Sequence, residues 1–536
     1  MRVIGAKTVD GSVTATASGT IGNNKPVLLN ADGTVSAISG SINPTQVVGS
    51  NTNPFGTSTP SGDIKSICFV PDTNQIVVAS ADSSTNNQGT VKVGTVDPSN
   101  NTITWGSNHT LFSSSAYSKT KIHCMYNEIH DHVEILWRES STTKIAKGTL
   151  GGSGTNATCS NFSTPYMIEG NSPDHITSSI DQSTGVGLLM FYDGGNQNSR
   201  VKAWRWNGTA FVTSGVTEVP YSHQGGNGAE ARNPASVYAA NTPNSHPMIV
   251  FVYNDDDNGQ DGTLLACSTT WNGSSPSFTI GTARVFESQG TEWHGMSYSP
   301  SRNRIVVVAA SSGIHSGNGG LKVYEFTPPA STVPNNGLNG NYFSQIGTQN
   351  ILYNIYTSTF PNIVYDEESN TNIIIYCDTS DGGKTKMIIS TREYIAYGGN
   401  QSEYANRHDL SVFSGNQAQN FTMVYDPNAK LSVLVNADTT SSYLKAYTIK
   451  PKFAQTNNAT IKGCIGFADG GYTNGQTVTV KVANSIIDGQ SLTPGKFYYV
   501  REDGSLSTVS GNPVIEAGIA ISTTELLITS NEERID

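Results

Sequence analysis

The sequence predicts an all-β protein: a seven-bladed β-propeller closed by an N-terminal strand, with small β modules at both ends. Three observations predict it. A strand–turn–strand unit recurs along the chain, its inner strands are apolar on both faces, and charge is sparse while turn residues are abundant. Charged residues make up 14% of the 536, against ~25% in an average soluble domain. There are 54 glycines, and Ser, Thr and Asn are frequent. Low hydrophobicity without high charge density is not the signature of disorder. Short apolar runs cut by Gly, Asn, Asp and Ser are the signature of strands and turns.

The repeat is a strand, a turn and a second strand ending in a polar, usually acidic residue. Its best copies are Ile363-Val-Tyr-Asp366 to Asp378 and Met423-Val-Tyr-Asp426 to Asp438. Others run from Val70 to Asp82, Asn127 to Glu139, Asp181 to Asp193 and Ser299 to Ser311, each with the second anchor 12 residues after the first, and Ala239 to Asp255 with it 16 after. The first anchors are spaced by 57, 54, 58, 60, 67 and 60 residues. One or two further strand-like runs follow each pair, such as Arg200-Val-Lys-Ala-Trp-Arg-Trp206 and then Phe211 to Val219. Four strands per unit, repeated seven times, predict a propeller. A solenoid has shorter units that usually carry helices or single strands, and no segment here keeps helical periodicity.

The inner runs Ile76-Val-Val-Ala79, Gly187 to Tyr192, Met248 to Tyr253 and Ile305 to Ala310 are apolar without alternation. Such strands must be covered on both faces. After Leu444 to Ile449 the seventh unit lacks a fourth strand, and Gln46 to Phe55 resembles the fourth strands elsewhere. It is expected to complete the last blade and remove two open edges. The expected domains are an N-terminal β module over 1–43, the propeller over 44–452 and a C-terminal β module over 453–536.

The two flanks share a pattern. Leu29-Asn-Ala-Asp-Gly-Thr-Val-Ser-Ala-Ile38 aligns with Val500-Arg-Glu-Asp-Gly-Ser-Leu-Ser-Thr-Val509. Asp-Gly between alternating strands is a strong hairpin signal, because Gly accepts the positive φ of the turn. The C-terminal runs Gly466 to Val482, Leu492 to Val500 and Gly518 to Ile528, together with Ala31-Asp-Gly-Thr-Val-Ser36 and the propeller units, resemble a β module and repeats that recur in virion proteins and tail fibres of marine tailed bacteriophages, cyanophages among them. The resemblance implies a virion protein: a tail fibre, tail-tip part or capsid fibre that displays the propeller for host attachment. A capsid decoration protein without host contact and a virion-associated glycan hydrolase are the alternatives. It implies other virion proteins as partners, a host surface glycan or protein as target, a multi-copy or homo-oligomeric assembly, and no catalytic residue.

A net charge of −11 with dispersed Lys and Arg gives no electrostatic footprint for nucleic acid. No apolar run suits a signal peptide or a membrane helix, so membrane insertion is not expected. The six cysteines form no C-x-x-C pair. Cys68, Cys124 and Cys377 lie in apolar strands, where a thiol acts as a small hydrophobe.

Candidate chemistry is sparse. Asp255, Asp257 and Asp261, with Gly259 and Gly262 for a tight turn, place oxygen ligands at alternate positions and suit Ca²⁺. Thr379-Ser-Asp-Gly-Gly-Lys-Thr-Lys386 matches a sialidase-type turn box except at its last position. The acids Asp82, Glu139, Asp193, Asp255, Asp378 and Asp438 either ring a channel or cap the turn after the second strand, and capping is the simpler reading. His130-Asp131-His132 shows no third ligand. Trp137, Trp271, Trp293 and Tyr404 are the aromatics for stacking on sugars, with core packing the competing role.

Overall fold

The computed structural model describes residues 11–38, 40–49, 52–55, 60–82, 88–112, 121–170, 173–196, 198–219, 231–240, 247–256, 259–288, 290–311, 320–329, 343–353, 361–368, 371–378, 384–389, 407–409, 418–438, 443–455, 463–501, 504–508 and 515–529. They form an all-β protein of small antiparallel sheets. Among the described residues no helix is long and apolar enough to cross a membrane. The chain divides into two compact units, residues 47–390 with 407–450, and residues 1–46 with 391–406 and 451–536.

The first unit holds seven sheets. Their first strands are Pro60–Val70, Ile122–Asn127, Pro173–Asp181, Ala231–Ala239, Trp293–Ser299, Asn362–Asp366 and Ala418–Asp426. Their second strands are Gln75–Asp82, His132–Glu139, Val186–Asp193, Met248–Asp255, Arg304–Ser311, Thr371–Asp378 and Leu431–Asp438. Every anchor read from the repeat is the last residue of its strand. Each first strand lies beside the first strand of the next sheet, and Ala418–Asp426 lies beside Pro60–Val70. The fourth place in the seventh sheet is filled by Gly40–Val48, starting ahead of the expected Gln46. The chain then continues along the third strand: Gly49 N–H donates to Thr448 O at 2.9 Å, and Thr52 and Ala446 exchange bonds of 3.0 and 2.8 Å. Gly49 sits so close that a Cβ would lie 2.2 Å from both Asn101 O and Thr448 Oγ1.

Burial explains the unalternating strands. All eight residues of Met248–Asp255 are buried, as are most of Val186–Asp193, with each large apolar side chain contributing roughly 1.5–3 kcal/mol. The turn between first and second strand is equally regular. Asn74, Asp131, Gly185, Asn303 and Lys430 each sit just ahead of a second strand with φ between 46° and 67°. Asn, Asp and Gly tolerate that geometry best. The first anchor caps the turn: Asp181 Oδ1 accepts from Ser183 N and Oγ at 2.8 and 2.6 Å, and Asp426 Oδ1 from Asn428 N and Ala429 N at 3.0 and 2.8 Å.

Neighbouring sheets are also joined by polar bonds. Trp204 lies across Gly187, its partner in register, where a Cβ would meet the ring at 2.1 Å. Its Nε1–H donates to the buried Glu134 at 2.6 Å. Glu134 accepts as well from Asn127 Nδ2 at 2.7 Å and faces His132 Nε2 at 3.0 Å, so the buried carboxylate is satisfied. Cys68, Cys124 and Cys159 share one apolar core, and burial pushes the Cys159 thiol up to about 12. Cys68 and Cys124 act as small hydrophobes, as expected, as does the buried Cys377; Cys159 joins the first two.

The second unit contains two five-stranded sheets. One runs in the order Ser12–Thr16, Thr477–Lys481, Cys464–Ala468, Pro26–Leu29, Val35–Ala37. The other runs Ile486–Ile487, Leu526–Ile528, Glu516–Ala520, Phe497–Val500, Leu506–Ser507. Numbered by chain position within each sheet, both orders read first, fifth, fourth, second, third. They are two copies of one module. In copy one the connection from third to fourth strand carries the entire seven-sheet unit, so the separate modules drawn over 1–43 and 453–536 regroup: copy one is assembled from both ends of the chain.

The copies agree bond by bond. Asn24 N–H donates to Ala468 O at 2.9 Å, as Gly495 does to Ala520 O at 2.7 Å; Ala468 returns a bond to Lys25 O, as Ala520 does to Lys496 O, both at 2.9 Å. The Asp-Gly hairpins match too. Gly33 N–H donates to Asn30 O and Asn30 N–H to Thr34 O, while Gly504 donates to Arg501 O and Arg501 to Ser505 O. Gly466 and Gly518 hold φ of 151° and 153°, and a Cβ on either would lie 2.0 Å from a carbonyl oxygen of the fifth strand.

Candidate functional site

Residues of the first strands of the seven sheets, or next to them, line an open cavity of about 340 Å³. Every first strand contributes to its wall, from Ser66 through His123, Thr177, Ser236, His294 and Asn362 to Thr422. Hydroxyl, amide and imidazole groups thus line the middle of an otherwise apolar stack of sheets. Bonds between neighbours hold them. Cys124 N–H donates to Ser66 Oγ at 2.9 Å, Thr177 Oγ1 and Ser236 Oγ are 3.1 Å apart, and Asn362 Nδ2 donates to Phe421 O at 3.2 Å. His294 lies 3.2 Å from Asn233 O and 3.0 Å from Thr291 Oγ1. Burial holds His294 down at about 4 against the backbone bond to Asn233. Burial, with Lys121 adding, does the same to His123. Both imidazoles are therefore neutral near pH 7, suited to accepting and donating hydrogen bonds rather than to binding anions.

The rim of this cavity is irregular. Four first strands carry a register shift, between Pro60 and Lys65, Asp174 and Thr177, Arg232 and Ala235, and Gln419 and Thr422. His175 and Asn233 take φ of 46° and 45° there. Bulges of this kind re-aim side chains at sheet ends. Two bulged strands carry ion pairs there: Arg138 pairs with Asp174 at 2.8 Å, and Arg232 with Asp256 at 3.0 Å. Burial, then the nearby Lys121, holds His175 down at about 4 while Asp174 opposes the shift. Strand polarity puts the connections that enter the first strands and those that leave the second strands at this same end.

The sequence-derived candidates scatter. Asp255 and Asp261 are cross-strand partners and buried, while Asp257 lies outside the described residues. Among the described residues no group of three His, Cys, Asp or Glu could hold a metal. Asp193 caps the turn after its strand, its Oδ1 accepting from Gly195 N at 3.0 Å. Glu139 instead pairs with Lys144 at 2.7 Å. The acidic part of the Thr379–Lys386 box lies outside the described residues; Thr385 and Lys386 are buried strand positions. His130 and His132 stack at 5.7 Å, and Asp131 accepts from Tyr126 Oη at 2.9 Å. Trp137 is fully buried against Phe112, so it is a core residue and not a stacking platform. Trp271 lies under Arg205, 4.3 Å from its guanidinium. Trp293 is half-buried at the start of its strand, and Tyr404 lies outside the described residues. Sequence reasoning missed the cavity lining, because Ser66, Thr177 and Ser236 carry no motif; Ser66 and Thr177 lie four residues ahead of their first anchors and Ser236 three, too loose a mark to find them by.

No protein family matches the chain, and no curated protein matches it. Solved structures do. A proposed 6-phosphogluconolactonase from Bacteroides uniformis has 10% identity and a TM-score of 0.42, covering 75% of this chain and 97% of its own. AofleA from Arthrobotrys oligospora has 10% identity and a TM-score of 0.38, with coverages of 71% and 92%. A variant of the NanB sialidase from Streptococcus pneumoniae has 10% identity and a TM-score of 0.38, with coverages of 78% and 71%. Likeness at this level transfers no activity to this chain.

Proposed function

We propose that the seven sheets close into a seven-bladed propeller and that the chain is a surface component of a tailed-phage particle, a tail fibre, tail-tip part or capsid fibre. The propeller presents its bulged, loop-bearing end to the host surface, and it binds rather than turns over its target. One observation carries the reading: the first strands neighbour one another in cyclic order around a polar cavity, with the chain's early segment bonded to the last sheet. That arrangement supports a rigid platform, and rigid scaffolds carrying loops are where binding residues concentrate. The resemblance of the flanking module and repeats to phage virion proteins supports the particle assignment. Hydroxyl, amide and neutral imidazole groups in the cavity, with ion pairs at its rim, suit a neutral or mixed-charge glycan better than nucleic acid.

The test is retention of the purified chain on host envelope polysaccharide, read together with the position of the labelled chain on intact particles. Retention without release of oligosaccharide, and label on an appendage, are the expected results. Label confined to the capsid shell with no retention makes it a decoration protein, and release of oligosaccharide makes it a hydrolase; either overturns the attachment reading.

A further inference from the structure

Two thiols meet at the boundary between the first and second sheets. Cys68 lies on Pro60–Val70 and Cys124 on Ile122–Asn127, first strands that lie side by side. Their Sγ atoms are 3.1 Å apart, within reach of a thiol hydrogen bond, and the two residues are 8% and 5% exposed. The strands are held there as well: Cys124 N–H donates to Ser66 Oγ at 2.9 Å, and Tyr126 Oη to Asp72 Oδ2 at 2.9 Å. A disulfide needs its sulfurs at about 2.05 Å, so the pair has about 1 Å to close.

Packing alone does not require two thiols at this place. Cys68 stands two residues ahead of its anchor and Cys124 three. At the next boundary the same two places are Met125 and Ser178, and Ser178 Oγ donates to Met125 Sδ at 3.3 Å, so the geometry recurs. Farther round, the places hold Val237 and Met296, Val364 and Met423, and Val424 and Ile67. These are ordinary apolar pairs, the first and last of them within shared cores. The other thiols are placed apart. Cys267 belongs to the fourth sheet, Cys377 to the sixth and Cys464 to the flanking unit. Cys159 shares the core of the pair, but its Sγ covers Gly148, where a Cβ would lie 2.6 Å away.

We propose that Cys68 and Cys124 form an oxidation-dependent crosslink between the first and second sheets, with a peroxide as the oxidant. One thiol, as thiolate, attacks a peroxide oxygen; the O–O bond breaks, the sulfur becomes a sulfenic acid and, for hydrogen peroxide, one water leaves. The second thiol attacks that sulfur, the S–O bond breaks and a second water leaves. Two thiols thus lose two electrons and one peroxide gains them. The second step is intramolecular across 3.1 Å, which favours it over further oxidation. Burial, helped by the bond to Cys68, holds the Cys124 thiol well above its ordinary range, so the first step is slow in the folded chain. Ser66 and His123, two and one residues away in sequence, line the open cavity and give a small peroxide its approach. The bond spans 56 positions of chain, and closing a loop of that length restricts the unfolded state. In the proposed virion role the chain leaves a reducing cytosol at lysis, and the crosslink marks released particles; that timing rests on the virion reading, and the crosslink itself does not.

The full chain, purified reduced, is exposed while folded to dilute hydrogen peroxide, then unfolded and alkylated. The wild-type chain is expected to lose two of its six alkylatable thiols and to yield peptides linked through Cys68 and Cys124. Its seven-sheet unit is expected to melt roughly 5 °C higher, and dithiothreitol should reverse all three changes. Cys68→Val, which places there the residue found at the matching position of the fourth sheet, should abolish the linked peptides and the peroxide-dependent rise. Cys159→Ala should keep both. The peptide map of the wild-type chain decides the matter without any variant. Linked peptides that include Cys159, six thiols still alkylatable after exposure, or Cys68 and Cys124 recovered as sulfinic acids overturn the proposal. All readings are made on the isolated chain, so none of them bears on host attachment.

Discussion

The two five-stranded sheets of the flanking unit share strand order, hairpin bonds and an unusual glycine, yet differ in one connection. Between third and fourth strands copy two has residues 508–515, and copy one has everything from 38 to 463. The comparison teaches that the module is specified by its turns and its fourth–fifth strand contact, not by the continuity of the chain. Closing a longer loop costs only about 0.6 kcal/mol per doubling. Here even that is reduced, since the inserted unit begins with Gly40–Val48 and ends with Leu444–Gln455, which are neighbours in one sheet.

The equivalence is open to attack at the shared glycines. Gly466→Ala and Gly518→Ala each drive a Cβ to within 2.0 Å of a carbonyl oxygen at a φ near 150°. Each is expected to destabilise the flanking unit by about 3–4 kcal/mol, read by denaturant unfolding; a large effect at one and none at the other would break the equivalence. The inserted unit should respond to acid where its host does not. Its His294 has a folded pKa of about 4 against an ordinary 6.5, so below pH 6.5 the unfolded chain takes up a proton that the folded chain refuses. Stability present above pH 6.5 is then lost as pH falls toward 4, by about 2–3 kcal/mol. The flanking unit contains no histidine. Melting between pH 7 and 4.5 should lower the first transition, and His294→Gln should flatten that slope. The packed and open hairpins should also separate: Gly504→Ala, which strikes Ile38 O, should cost about 2 kcal/mol, and Gly33→Ala, in open space, about 1 kcal/mol. Smallest of all, Asn24→Gly copies the residue at Gly495 into copy one. It trades the exposed bond to Asp488 for an easier φ, and melting should move by no more than about 0.5 kcal/mol.

Much of this is legible in the sequence. The anchors from Val70 to Asp438 mark strand ends because several of them carry a side chain, such as that of Asp181, Asp193 or Asp426, that accepts from the backbone N–H groups of the turn that follows. The matched Leu29–Ile38 and Val500–Val509 runs revealed the second-to-third strand hairpin of both copies, since Asp-Gly turn chemistry is local. The other halves, Cys464-Ile-Gly-Phe-Ala468 and Glu516-Ala-Gly-Ile-Ala520, share only Gly and Ala, and the inserted unit separates the first from its own module. A repeat interrupted in chain order cannot be aligned end to end. The cavity wall and the bulged rim were not legible either, because bulges at Asp174 and Arg232 fall in polar stretches where no hydrophobic period fixes the register.

The chain order of copy one also sets a timetable for synthesis. Its strands Ser12–Thr16, Pro26–Leu29 and Val35–Ala37 leave the ribosome first, but Cys464–Ala468, which pairs with Pro26–Leu29, and Thr477–Lys481, which pairs with Ser12–Thr16, arrive only after all seven sheets have been made. At 5–20 residues per second the wait is on the order of half a minute or more. For that time Ser12–Thr16 has no strand partner in its own module and Pro26–Leu29 has only Val35–Ala37, and a nascent chain stalled before residue 464 should be the state most in need of a holding chaperone.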